Sequence, residues 1–203
     1  MTCVQLPLEP TTVAGHDPVD AFEQLGWAQV HDLTEPSPGG MRGVPAGSVQ
    51  AVKRSAGLLL FRRSSGPLEV LLAHPGGPLF ARRNDVWTIP KGEYGDSEEP
   101  RAAAYREFAE EIGSLPPDGE PLPLGEITQR SGKQVTAWAL EGDLDVTTVA
   151  SNTFPMVWPP RSGRLQHFPE VDRAQWFDVG TAGAHLLAAQ LPLVERLVAL
   201  LAG

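Results

Sequence analysis

Short apolar runs alternate with turn-forming residues through the middle of the chain. "SAGLLLFRR" (55–63) is too short for a helix and rich in aliphatics, so it predicts a strand. "SSGP" supplies a turn and "LEVLLAH" (68–74) the partner strand. "PGGPLFARRND" predicts a loop. "VWTIP" (86–90) predicts a short extended piece, because Pro90 disfavours helix at Ile89. From 98 to 112 the apolar period becomes helical. "LGEITQR" and "QVTAWALEG", around "SGK", predict a second hairpin over 124–142. "SNTFPMVWPPRSGRLQHFPEVD" (151–172), rich in Pro and Arg, predicts a long loop, of a length more often functional than accidental. "AQWFDV" predicts a last strand. "TAGAHLLAAQ" and "LVERLVALLA" predict two helices separated around Pro192. Strand pairs, a central helix and terminal helices together predict a mixed α/β (α+β) domain with helices packed on a sheet.

Residues 1–50 have a different character. "EPSPGGMRGVPAG" (35–47) predicts a linker, and "DPVDAFEQLGWAQVHDL" before it predicts one short amphipathic helix. The expected organisation is an N-terminal extension over 1–50 and one domain over 51–203. The single cysteine, Cys3, excludes an intrachain disulfide and predicts a reducing, cytoplasmic setting. No apolar run approaches the ~20 residues of a membrane helix, and no signal peptide is expected. The net charge of −9 argues against a general nucleic-acid binder, which carries a basic face.

The acidity is local. Between Gly92 and Gly113 seven acids face only Arg101 and Arg106, a charge of −5 out of −9. The helix in this stretch is well signalled. Asp96 or Ser97 caps its start, Pro100 suits a first turn and Gly113 a C-terminal stop. At about 100° per residue, Tyr105, Phe108, Ala109 and Ile112 share one arc, while Glu107, Glu110 and Glu111 share another about 160° away. A core face is thus expected opposite a carboxylate face. Three glutamates at this spacing repel by a few tenths of a kcal/mol per pair, and no lysine is interleaved. The triad is either a solvated acidic face or a site for a hard, oxygen-loving cation such as Mg²⁺, which is commonly completed by substrate phosphates.

The spacing G-x5-E-x7-R-E-U-x-E-E-x-G, with U a bulky apolar residue, is met by Gly92, Glu98, Arg106, Glu107, Phe108, Glu110, Glu111 and Gly113. This stretch resembles the Nudix box of Nudix hydrolases. Ser114 departs from the pattern, standing where the family has an apolar packing residue, so the loop after the helix is expected to differ. The resemblance extends over roughly residues 51–200, including "EVDRAQWFD" (170–178), which looks like the acidic-then-Trp segment after the box in many members. It implies an α/β/α sandwich with a mixed central sheet, a catalytic loop-helix and C-terminal helices.

The resemblance also implies the chemistry: hydrolysis of a phosphoanhydride in a nucleoside diphosphate linked to another group, dependent on Mg²⁺ or Mn²⁺. Glu107, Glu110 and Glu111 match the metal-binding triad, with the backbone carbonyl of Lys91 as a further ligand. Glu98 and Arg106 match the pair tying helix to loop, and Gly92 lets that loop approach closely. For the general base, Glu110 is the first candidate, Glu170 the second (or an extra ligand) and Asp172 the third. Arg161 and Arg164 on the long loop, with Arg82, Arg83 and Lys91 as rivals, are candidates to hold substrate phosphates. Trp158, Phe80 and Trp87 are candidates to stack on a base, and His74 and His167 are expected to be ordinary structural or surface residues. The partner expected is a nucleotide-type small molecule, not nucleic acid or membrane, and the family often forms homodimers. Dinucleoside polyphosphates, nucleoside triphosphates and nucleotide sugars all remain open, with a slight lean to the first two, and the likeness of "PKG" (90–92) tilts to the first. The alternative is a Nudix-fold sensor that binds a nucleotide without cutting it.

Overall fold

The computed structural model describes residues 52–63 and 66–203; the extension, Cys3, the helix and the linker expected over 1–50 lie outside the described residues. The strands are β1 (Arg54–Arg63), β2 (Leu68–Pro75), β3 (Lys91–Glu93), β4 (Leu122–Thr128), β5 (Gln134–Glu141), β6 (Thr153–Val157), β7 (Leu165–Pro169) and β8 (Val171–Asp178). The helices are α1 (Pro100–Ile112), the single turn α2 (Val179–Ala182) and α3 (Leu191–Ala202), with short 3₁₀ turns at Val146–Thr148 and Ala188–Gln190.

Six strands form one mixed sheet in the order β4-β5-β1-β2-β8, with β3 added to the start of β1. β1 runs parallel to β5 and antiparallel to β2 and β3. It is the central strand, buried on both faces, which is why its sequence is continuously apolar rather than alternating. Leu59 and Phe61 pack to one side with Trp87, Ile89 and the α3 residues Leu193, Val194 and Leu197. Ala56, Leu58 and Leu60 pack to the other side with Ala103, Ala104, Phe108 and Ile112 of α1. Helices therefore cover both faces of the sheet, giving the expected α/β/α sandwich. No helix among the described residues is long and apolar enough to cross a membrane.

Three sequence expectations are corrected. The segment 151–172 is not a structureless loop: β6 and β7 pair antiparallel as a separate two-stranded sheet, from Thr153↔Pro169 to Val157↔Leu165. Its prolines mask the strands in the sequence, yet Pro is tolerated where a strand edge is unpaired. The period-two signal was there, with Phe154 and Met156 buried in a small core beside Leu79, Trp158 and Phe168. "TAGAHLLAAQ" is not one helix either. Its middle is spent on the β2–β3 connection, since Trp87 N–H donates to His185 C=O and Leu187 N–H donates to Trp87 C=O. Finally, the α1 cap is Glu99, whose carboxylate accepts the Ala102 N–H at 2.8 Å. Glu99 precedes Pro100, which holds it extended and makes it the last non-helical residue.

Candidate active site

The candidate site is built where α1 lies against β3. Gly113 ends α1 in the left-handed region (φ 83) and packs on Ala150, whose N–H donates to Ile112 C=O. Asn152 N–H donates to Glu110 C=O, so the start of the β6–β7 hairpin is bonded to the last turn of α1. Glu170, at the hairpin's other end, accepts Gly76 N–H through its carbonyl and donates its own N–H to Asn152 C=O.

α1 is turned relative to the sequence expectation. Its buried positions are Ala103, Ala104, Phe108, Glu111 and Ile112, a face centred roughly 80° from the predicted apolar arc. The small Ala103 and Ala104 let the helix sit close on β1, and Tyr105 and Ala109 are only half-buried. Glu111 is thereby 2% exposed, an expensive place for a carboxylate without a partner. Its partner is the backbone N–H of Lys91, at 3.0 Å. The carboxylate face is thus split between one glutamate inside, Glu111, and two at the rim, Glu107 and Glu110.

Arg106 holds the rim together. Its guanidinium meets Glu98 through two bonds, Nε–Oε1 at 2.8 Å and Nη2–Oε2 at 2.9 Å. Its Nη1 donates to Glu107 at 2.7 Å and Glu110 at 3.1 Å, and Nη2 reaches Glu93 C=O. The bond from Arg106 holds the Glu98 carboxyl below its ordinary range. Burial pushes the Glu107 carboxyl up despite Arg106, and the nearby Glu110 charge adds to that. Glu170 is also pushed up, first by burial and then by the charges of Glu107 and Glu110. The fold therefore brings Glu170, 59 positions beyond Glu111, into the field of the helix carboxylates.

Gly92 completes the cradle: a β-carbon there would overlap the Glu107 carboxylate. Among the described residues no three acidic, His or Cys side chains already enclose a cation position. Arg106 Nη1 bonds both Glu107 and Glu110, and Lys91 N–H holds Glu111. A positive group thus already stands between two carboxylates with oxygen-only donors, an arrangement that fits a hard divalent ion.

The remaining candidates, Lys91 apart, are dispersed. Lys91 is buried, and its charge acts to lower the Glu107 carboxyl rather than facing solvent. Arg83 pairs with Asp85 at 2.9 Å, and its carbonyl is bonded to His74 Nε2 at 2.7 Å. Asp172 faces His74 Nδ1 at 2.8 Å and also pairs with Arg173. Phe80 and Trp87 are core residues, and Trp158 is half-buried under the hairpin. Arg161, Arg164 and His167 are exposed on the hairpin, the two arginines around its tip. Ser114, the departure from the box pattern, has its hydroxyl buried without a hydrogen-bond partner, and the apolar Leu115 beside it is 81% exposed. Sequence reasoning missed Gln190, fully buried, whose side chain accepts Ile89 N–H at 2.9 Å and exchanges hydrogen bonds with Thr88. No local signal marks it, since its partners lie about a hundred residues away.

The NUDIX domain family profile matches residues 46–197. An RNA pyrophosphohydrolase of Rhodospirillum rubrum is 28% identical over 170 residues, covering 73% of this chain and 92% of that protein. An RNA pyrophosphohydrolase of Cellvibrio japonicus is 43% identical over 56 residues, 26% of this chain and 33% of that protein. Among solved structures, a C. elegans Ap4A hydrolase in a binary complex superposes with a TM-score of 0.54 at 23% identity, covering 73% of this chain and 98% of its own. The NUDIX domain of Shewanella oneidensis NrtR complexed with ADP ribose gives 0.51 at 18% identity, covering 75% and 90%. At these identities the structural likeness speaks for the fold.

Proposed function

Because this chain belongs to the Nudix family and is a Nudix pyrophosphohydrolase, we propose that it uses Mg²⁺ (or Mn²⁺) on Glu107, Glu110 and Glu111 to cut a nucleoside polyphosphate. The observation that carries this reading is the meeting of two separate parts of the chain: Glu107 lies against Gly92, and Asn152 bonds both Glu110 C=O and Glu170 N–H, bringing Glu170 beside the helix. When bound, the metal would neutralise the carboxylates, polarise a phosphoryl oxygen and lower the pKa of a bound water.

The chain's own residues do the rest. Glu107 and Glu110 offer the oxygens that Arg106 Nη1 now bridges, and Glu111 is steered by Lys91 N–H. Arg106 keeps its two bonds to Glu98, so the loop stays tied to the helix if Nη1 gives way. Glu170 is the proposed proton acceptor, because a carboxyl raised by burial and by the neighbouring Glu107 and Glu110 charges holds a proton more readily than an ordinary one. Water attacks phosphorus, its proton passes to Glu170, and the bridging P–O bond breaks toward the leaving phosphate. Glu110 is the other candidate for this step. The names of the two relatives add RNA to the substrates suggested by "PKG".

The test is product analysis by chromatography with a panel of nucleoside triphosphates, dinucleoside polyphosphates, nucleotide sugars and 5′-triphosphorylated RNA, with and without Mg²⁺ or Mn²⁺. Metal-dependent cleavage that collapses in Glu110→Gln supports the proposal. Nucleotide binding with no turnover of any compound overturns it in favour of a sensor.

A further inference from the structure

The β6–β7 hairpin is rooted in the carboxylate site and carries unspent positive charge away from it. Its root is fixed on both sides: Asn152 N–H bonds the last turn of α1, and Glu170 joins Glu107 and Glu110. From there five residues of each strand run outward. At ~3.3 Å per residue the tip stands roughly 17 Å from the root.

Three properties of this arm are otherwise unexplained. First, residues 151–169 contain no Asp or Glu, in a chain of net charge −9. Second, arginines elsewhere commonly pair with carboxylates, as Arg62 does with Glu69 and Asp143, and Arg63 with Glu141. Among the described residues no such pair forms at Arg161 or Arg164, both exposed. Third, Arg161 holds a positive φ of 65, a conformation that suits glycine and costs an L-residue on the order of 1–2 kcal/mol. The turn tolerates an unfavourable residue exactly where the side chain is cationic and free.

We infer that the hairpin is a second anion site that holds a polynucleotide strand beyond its 5′-polyphosphate end. This rests on the triad being the cleavage site. A nucleoside triphosphate or a dinucleoside polyphosphate keeps all its negative charge in the one phosphate chain beside Glu107 and Glu110. Only a polynucleotide repeats its phosphate outward, toward a pair of arginines a hairpin's length away. Arg recognises each phosphate through its planar fork. The global acidity does not oppose this, because the strand is gripped at one end and along one arm, not along a basic face.

The experiment uses the full chain with Arg161→Gly, Arg164→Ala and the double variant. Arg161→Gly suits the left-handed turn, so its melting temperature should match or exceed that of wild type and folding is not in question. With a short 5′-triphosphorylated oligoribonucleotide, the double variant should raise KM about tenfold with kcat unchanged, while KM for the matching nucleoside triphosphate stays put. In fluorescence anisotropy with the labelled oligonucleotide, the slope of log affinity against log salt should flatten by about 1.4, for two contacts at ~0.7 each. Equal effects on oligonucleotide and mononucleotide would overturn the inference, and so would no effect on either. If wild type cleaves nothing, the cleavage reading fails, and the anisotropy slopes still decide whether the hairpin binds the strand.

Discussion

The carboxylate of Glu107 lies against the α-carbon of Gly92, in the space that any side chain at position 92 would need. This contact joins the loop to the helix at the point where the proposed metal sits. Gly92→Ala should push Glu107 outward and lower both metal affinity and kcat/KM by roughly 10–100-fold. Calorimetric Mg²⁺ titration alongside turnover checks this; wild-type affinity in the variant would refute it.

Arg106 is shared among Glu98, Glu107 and Glu110. A lysine has one ammonium and cannot form the two-bond grip on Glu98 while reaching the other two. Because the site is partly exposed and screened, Arg106→Lys should cost only about 1–2 kcal/mol in urea denaturation. The loss should shrink at high salt. Mg²⁺ should raise the melting temperature more in the variant than in wild type, since the competing cation at Glu107 and Glu110 is weakened.

Glu170 is pushed up in the folded state by burial and by its acidic neighbours. A carboxyl raised on folding stabilises the fold only while it is protonated, and that contribution is lost as pH rises through its folded-state value. Metal-free Glu170→Gln should therefore be more stable than wild type at neutral pH, by up to about 1 kcal/mol after solvent screening. The difference should vanish below the ordinary glutamate range. Thermal melts from pH 4 to 8 measure it, and activity should fall sharply in the same variant.

Gln190 anchors the strand that enters the box loop, through Ile89 N–H and Thr88. Gln190→Leu leaves that buried N–H without a partner, at about 1–3 kcal/mol. Turnover should drop even at temperatures where the variant is fully folded, because Lys91 and Gly92 follow directly. Full activity in a destabilised variant would reduce Gln190 to a purely structural role.

The box was legible because its parts lie within 22 residues of one another, and local rules connect them. Glutamates at i, i+3 and i+4, a glycine stop and an arginine eight positions after Glu98 describe one loop and one helix before any packing is considered. The central strand β1, its partner β2 and the second hairpin were equally readable from apolar runs between turns.

What the tertiary structure alone decided depends on contacts between distant parts of the chain. Periodicity fixes which residues share a helix face, but the partner decides which face goes inside. Here the Lys91 N–H and the close approach to β1 draw Glu111 in and leave Tyr105 half-buried. Glu170 joins Glu107 only because β6 and β7 fold back on themselves, and those strands were hidden by prolines that a detached hairpin tolerates. The sequence by itself determined the residue types of the candidate site, since they stand at short spacing along one loop and one helix. The fold decided which carboxylate is buried, which is shared with Arg106 and which is left with a raised affinity for a proton, because burial and charge proximity exist only once the chain has closed.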